Sequence, residues 1–426
     1  MGNQLSKIWN SPSVRNVGKL LSANVIAQAL GILVYPILTR MYSPEDFGLL
    51  NLFMSIVGVL VIVSTMQMQD AVVLPENEHE ARSIVHICLT GIFALVFLIT
   101  LTIPFADSIA NLFNSPQLAR YYWLLPCNVL LLGIWNVLNY WYIRHNAYDK
   151  ISGYQISQSL FSAGFKTGFG ALGQLNGGLI YSSILSPLCS ILRVFLREDK
   201  SIVRSFVHFD HGNWGEIFRK YSNFPKYTLP HSLINYIAGQ MPVLLLTPFF
   251  SSHEVGFWTM AVLLSFSPIN VVTNALYQVF YRQTAAKVNA RQSIGNFYRR
   301  FTIWTLVIIV PLFVCLWFVL PMLTQWLLGD VWRVTGIYIR WMLPWLVCNM
   351  LCGATGYIYE VFFKQNHGLY FEILITVVRF IGLGIGIYYN SFELSIACYA
   401  IFSAIVSGGQ YAWLMYLVNR YEQSIQ

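Results

Sequence analysis

Leu38-Thr39-Arg40-Met41-Tyr42-Ser43-Pro44-Glu45-Asp46-Phe47-Gly48 closes one long apolar segment and opens the next. It has a degenerate echo in Leu246-Thr247-Pro248-Phe249-Phe250-Ser251-Ser252-His253-Glu254-Val255-Gly256. The matched leucine, threonine, serine and glycine recur at one offset of 208 positions, and the same slide pairs Leu21 with Leu229, Ile26 with Ile234 and Gly31 with Gly239. Further along, Trp123-Leu124-Leu125-Pro126 finds Trp341-Met342-Leu343-Pro344 at an offset of 218, a drift that small loop insertions explain. Apolar stretches match each other easily, so no single pair carries weight; their collinear order does. The chain reads as a duplication. In membrane proteins internal repeats of this size mark transporters, whose halves rock about a shared site to give alternating access.

Composition agrees: 56% of residues are hydrophobic and 10% charged, with a mean hydropathy of +0.56, against about 25% charged in ordinary soluble domains. Crossing a hydrocarbon core of about 30 Å takes about 20 apolar residues. Twelve such runs lie near 18–40, 46–70, 84–106, 119–143, 152–172, 176–196, 227–249, 255–281, 300–321, 337–361, 370–389 and 393–417. The fold class is therefore an all-α integral membrane protein, with twelve transmembrane helices in two six-helix bundles around a central cavity. Six spans per half insert both halves in the same sense, which makes the repeat parallel, about an axis along the membrane normal. The expected organisation is 1–197 as the N-terminal bundle, 198–226 as a cytoplasmic linker and 227–426 as the C-terminal bundle.

With a cytoplasmic N-terminus, twenty of the 26 Lys and Arg residues fall in inside segments, and only Arg40, Arg120, Arg333 and Arg340 fall in outside loops. Lysine and arginine concentrate on the cytoplasmic side of membrane proteins, so both termini are expected there. The formal charge of +8 is then a topology signal and an attraction for anionic membrane lipids, with no nucleic-acid partner implied. The opening polar residues carry no secretory signal, and the Met1-Gly2 start fits a myristoylation pattern that would add little to many spans. The seven cysteines mostly lie inside spans and none lies in an outside loop, so they read as packing residues rather than a disulfide framework. His208-Phe209-Asp210-His211 in the linker has no further ligands near it and reads as solvated chain. No metal is expected.

Polar groups inside spans are the functional candidates, because an ionised side chain at mid-bilayer costs about 2.5–3.5 kcal/mol on insertion scales and turns toward water or a partner. Lys166, in the fifth span, and Arg379, in the eleventh, occupy equivalent spans of the two halves, each followed closely by a Gly-x-Gly. Facing cations in a cavity suit an anion such as a diphosphate, arginine in bidentate geometry and lysine as a point charge; the alternative is an internal salt bridge, for instance with Glu360 or Glu372, or snorkelling. Asn24, Ala27, Gln28 and Gly31 share one face of the first span, and the repeat maps them onto Ser232, Asn235, Tyr236 and Gly239 of the seventh. Asn24, Gln28, Asn235 and Tyr236 are accordingly substrate-binding candidates, against a reading in which the stripe packs helices. Asp70 has two readings, exchange of H+ or Na+ in gradient-coupled transport or a helix-end carboxylate in water. Arg40 and Glu45, at the outer end, are candidates for gating or for maintaining the fold rather than for first contact with substrate. No catalytic residue and no bound cofactor is expected.

At these residues the chain resembles the bacterial polysaccharide flippases of the multidrug/oligosaccharidyl-lipid/polysaccharide exporter superfamily, and within them the O-antigen repeat-unit flippases. The likeness covers the chain by topology, and its most characteristic sequence is the Arg40 to Gly48 tract. What it implies is movement of an undecaprenyl-diphosphate-linked oligosaccharide from the cytoplasmic to the periplasmic leaflet of the inner membrane. It implies a cationic central cavity, for which Lys166 and Arg379 are the positions available. It also brings in as partners the polymerase and chain-length regulator of the same lipopolysaccharide pathway. Two other classes stay open: a drug exporter of the same superfamily, which would prefer a cavity carboxylate, and a membrane polymerase or acyltransferase, which would need a large outer loop or a buried His/Asp/Arg cluster.

Overall fold

The computed structural model describes Gln28, 31–173, 177–196, 214–362 and 364–425, and among these residues the ordered backbone is helical with no strand. The long helices, numbered in chain order, are α1 Gly31–Met41, α2 Pro44–Ser64, α3 Glu78–Leu101, α4 Leu125–Arg144, α5 Tyr148–Ala171 and α6 Gly178–Leu196. There follow α7 Leu229–Leu246, α8 Ser252–Asn289, α9 Gly295–Leu328, α10 Arg333–Thr355, α11 Gln365–Tyr388 and α12 Phe392–Ile425. Each expected span contains one of them. Among the described residues nine are long and apolar enough to cross a membrane, and the remaining three are α1, whose described part is short, α5 and α7. Two of those three, α5 and α7, are helices of 24 and 18 residues diluted by polar side chains, among them the candidates Lys166, Asn235 and Tyr236.

By proximity the chain divides into two compact units, Met1–His253 and Glu254–Gln426. Helices α1 to α7 belong to the first. The tract that opened the sequence analysis is a helix start: Ser43 caps α2, its hydroxyl accepting from the Asp46 amide while the Asp46 carboxylate accepts from the Ser43 amide at 2.9 Å, and Pro44 supplies a pre-set φ at the first position. After α2 the chain reverses through Met66 and Gln67, both at positive φ (51° and 57°), into a buried 3-10 turn, Met68–Val73. A core of Met68, Val72, Ile84, Cys88, Val137, Trp141 and Tyr154 gathers around that turn, with Trp135 stacked on Tyr154. Arg144 clasps it by donating to the carbonyls of Val72 (3.1 Å) and Pro75 (2.6 Å) and pairing with Glu78 at 3.4 Å. The helix Trp214–Lys220, at the end of the linker, is tied to the same bundle, Lys220 and the Tyr221 hydroxyl both reaching the Glu80 carboxylate (2.6 and 3.0 Å).

In the second unit α12 packs against α10 and α11, and α9 against α10. A core of Ile294, Tyr298, Tyr357, Ile358, Leu414 and Val418 lies where α9 begins and α12 ends. There the hydroxyls of Thr284, Tyr298 and Tyr357 hydrogen-bond one another, which satisfies polar groups that would otherwise be costly to bury. The ninth helix does not stop with the 300–321 apolar run: α9 continues through Pro311 and Pro321 to Leu328. A proline removes one backbone hydrogen bond, whereas ending the helix in hydrocarbon would strand several. After α3, by contrast, the chain breaks near Pro104 and a separate short helix forms, Ala106–Leu112. Exposed Phe105 and Trp123 in the first unit, and Trp326, Tyr388 and Tyr389 in the second, stand near helix ends, as aromatic side chains do at a membrane interface.

Candidate functional site

Helix α5 spaces Gln158, Ser159, Ser162, Ala163 and Lys166 at intervals of three and four, so that they share one face. The α1 residues Gly31, Val34, Tyr35 and Leu38 follow the same rule, and the two faces line a groove of about 250 Å³. Lys166 is half-buried there, with no carboxylate and no hydrogen-bond acceptor for its ammonium among the described residues. The alternative of an internal salt bridge for this lysine thus finds no support in the first unit. What the groove offers is a point cation beside an amide and two hydroxyls, the donor set that a phosphate oxygen and sugar hydroxyls accept from.

The opening tract fixes this site through the backbone. The Tyr42 hydroxyl donates to the carbonyl of Lys166 at 2.8 Å, and its ring stands edge-on to Phe47. Met41 and Tyr42 come so close to Gly170 that a β-carbon there would sit 3.0–3.2 Å from them, whereas one at Gly168 would meet nothing within 4 Å. In the Gly-x-Gly after Lys166, then, the second glycine admits the tract. Arg40 and Glu45 of the tract are exposed and stand outside the groove.

Arg379 sits in a different setting. Its Nε donates to Ser403 Oγ at 2.8 Å, and the guanidinium lies over the rings of Trp345 (4.9 Å) and Tyr399 (5.1 Å). Those two rings meet edge-to-face, and Trp258 and Phe266 extend the cluster. Neither Glu360 nor Glu372 is its partner; ring quadrupoles do the work of a counter-ion, each worth roughly 0.5–2 kcal/mol depending on desolvation. Gly382, in the following Gly-x-Gly, faces the α12 backbone at Cys398 and Tyr399, 3.1 Å from where a β-carbon would be.

The polar stripe of α7 divides. Tyr236 is taken up in packing: its hydroxyl reaches the Met54 carbonyl at 3.3 Å, and its ring covers Gly58 of α2 so closely that any β-carbon there would overlap it. Gln240 accepts from Ser55 at 3.1 Å on the same seam. Asn235 is exposed, and so is Gln28; Asn24 lies outside the described residues, as does the His208 to His211 cluster. Asp70 lies in the 3-10 turn Met68–Val73, far along the chain from the groove residues, with Oδ1 buried without a hydrogen-bond partner. Sequence reading missed Gln158 and Ser159, whose helical register with Lys166 was available, and the Arg379 cage, which had no signal because Trp345, Tyr399 and Ser403 come from other helices.

The profile described as "Polysaccharide biosynthesis protein" matches residues 37–336, well over half of the sequence. The chain belongs to the polysaccharide biosynthesis protein family. The succinoglycan biosynthesis transport protein ExoT of Rhizobium meliloti (strain 1021) is 21% identical over 351 residues, which cover 80% of this family member and 66% of that relative. The family member thus spans just under two thirds of the relative's length. Among solved structures, an inward-facing multidrug resistance MATE family transporter of the MOP superfamily superposes with a TM-score of 0.71 at 16% identity, covering 93% of this chain and 96% of the other. A MATE structure in complex with MaD3S gives 0.57 at 16% identity, with 96% of each chain covered. At these identities the likeness speaks for the fold. This polysaccharide biosynthesis protein is a multi-pass membrane protein that shares its fold with those two MATE structures.

Proposed function

We propose that this protein is a flippase, moving undecaprenyl-diphosphate-linked O-antigen or related repeat units from the cytoplasmic to the periplasmic leaflet of the bacterial inner membrane by alternating access. The observation that carries the reading is the Lys166 ammonium, left without an acidic partner in a groove of hydroxyl and amide groups, in a protein of a polysaccharide biosynthesis family. A sugar unit and a diphosphate cannot cross hydrocarbon unaided, since burying unpaired hydroxyls costs several kcal/mol each and ions far more. A polar groove with one uncompensated cation lowers that cost for the headgroup while the polyprenyl tail stays in lipid.

In this scheme the duplicated halves, 1–197 and 227–426, rock about the headgroup, Arg379 supports the second half, and Asp70 is the candidate for H+ or Na+ coupling. The polymerase and chain-length regulator of the pathway take over the product, and no catalytic step is needed. A drug exporter of the same fold, the second reading, would be favoured by a carboxylate in the groove, and among the described lining residues Lys166 is the charged one. The test is deletion of the gene followed by leaflet-specific labelling of lipid-linked repeat units. The expected outcome is their accumulation on the cytoplasmic leaflet, restored by wild type and not by Lys166→Ala at matched expression. Unchanged periplasmic delivery after deletion sinks the flippase reading; full rescue by Lys166→Ala sinks the role of the groove.

A further inference from the structure

Where α9 begins and α12 ends, the second unit carries a cavity of about 740 Å³ whose lining is neither apolar nor of one charge. Arg299 and Asn296 contribute from α9, Asn419 and Glu422 from α12, over a floor of Met415 and Val418. The Glu422 carboxylate is fixed in place: Oε1 accepts from the amides of Ile294 (2.6 Å) and Gly295 (2.8 Å), and Oε2 from the Ser293 hydroxyl (2.7 Å). Arg299 is exposed and has no ion-pair partner among the described residues. It also heads a stripe: Ile303, Val307, Val310 and Val314 follow it at intervals of four, four, three and four on α9 and are 41–59% exposed. Only 11% of the most apolar window of α9 is buried within the protein, so this face meets lipid.

We infer that this cavity holds the headgroup of a zwitterionic phospholipid with a primary ammonium, of the phosphatidylethanolamine type, whose acyl chain runs along the α9 stripe. A polar pocket at one end of an exposed apolar track is the imprint of an amphiphile lying parallel to the helix. Charge selects which one. Arg299 and Glu422 sum to zero, matching one phosphate and one ammonium. A diphosphate headgroup would bring a second negative charge against Glu422, and an anionic glycerol headgroup would leave that carboxylate unanswered. A quaternary ammonium balances the charge but has no N–H to donate, whereas a primary ammonium has three. The concentration of lysine and arginine in the inside segments sets this end at the cytoplasmic surface, where phosphate groups lie at the depth of Arg299. The site is separate from the Lys166 groove and does not depend on what that groove carries.

The test uses the full-length protein in detergent, titrated with phosphatidylethanolamine, phosphatidylglycerol and phosphatidylcholine of identical acyl chains, with retained lipid counted by native mass spectrometry. Wild type is expected to hold phosphatidylethanolamine about tenfold more tightly than the other two, the factor that one charge-assisted hydrogen bond supplies. Arg299→Ala should weaken all three. Glu422→Gln keeps an acceptor for the Ile294 and Gly295 amides and should bring phosphatidylethanolamine down to the phosphatidylcholine level. Equal retention of phosphatidylethanolamine and phosphatidylglycerol by wild type overturns the assignment. So does a preference that survives Glu422→Gln. The wild-type comparison decides without either variant if they fail to fold.

Discussion

Lys166 and Arg379 stand in equivalent spans of a duplicated sequence, yet the structure gives them opposite surroundings. Arg379 is clamped by Ser403 and two aromatic faces, whereas the Lys166 ammonium lines a groove beside hydroxyls and an amide with no acid at hand. A buried cation whose needs are met inside the protein contributes to cohesion. One whose needs are unmet keeps its charge available to water or a ligand. Two cations that the sequence pairs thus meet different neighbours: α10 and α12 tie Arg379 into the framework, while α1 leaves the Lys166 ammonium open in a polar groove.

The sharpest way to break this contrast is to remove each charge and read transport and stability separately. Lys166→Ala is expected to cut repeat-unit translocation in reconstituted vesicles by about 10- to 100-fold, the loss of a hydrogen bond from a charged donor to an anion, with the thermal midpoint in detergent unchanged. A variant that transports normally ends the contrast. Arg379→Ala should instead lower the unfolding free energy by about 2 kcal/mol, from the rings and Ser403 left without their partner. Arg379→Lys should recover the cation–π part only, and equal stability of all three forms would show the cage to be idle.

The two Gly-x-Gly motifs sharpen the comparison at smaller cost. Gly170→Ala and Gly382→Ala force a β-carbon to 3.0–3.2 Å from a neighbour and should destabilise by about 1–3 kcal/mol. Gly168→Ala and Gly384→Ala, with nothing within 4 Å, should be neutral or stabilise by up to about 1 kcal/mol through helix propensity. Thermal denaturation of the four variants checks this, and a reversed order would remove the close-approach account. The smallest effect is expected from Tyr42→Phe, about 1 kcal/mol for one hydrogen bond to the Lys166 carbonyl. The echo already carries Phe250 at the position the repeat maps onto Tyr42, so a tyrosine hydroxyl ties the tract to the following cation in the first half only.

Much of the fold was legible because hydrocarbon imposes a simple rule: every expected span holds a helix, since backbone groups without water must pair within their own segment. The same rule explains why α9 passes Pro321, at the end of the ninth apolar run, where punctuation reliable in water gave way to the cost of ending a helix in lipid. The candidate site was legible only in part. Lys166 announced itself as a charge in an apolar run, and its helix-mates Gln158 and Ser159 shared its register. Tyr236 carried the same sequence signal as Asn235, a polar residue on a mapped stripe, but it turned out to seal α7 against α2. Periodicity reports which face a residue occupies and not what that face meets.

The sequence by itself determined the membrane class, the helical spans and the placing of both cations within apolar helices, because hydropathy and period are properties of one chain read along its length. Tertiary structure alone decided that Tyr42 braces the Lys166 backbone, that Trp345 and Tyr399 enclose Arg379, and that Lys166 keeps its charge uncompensated. Those outcomes depend on side chains far apart in sequence meeting at distances of 3 to 5 Å, and such encounters are set by helix packing.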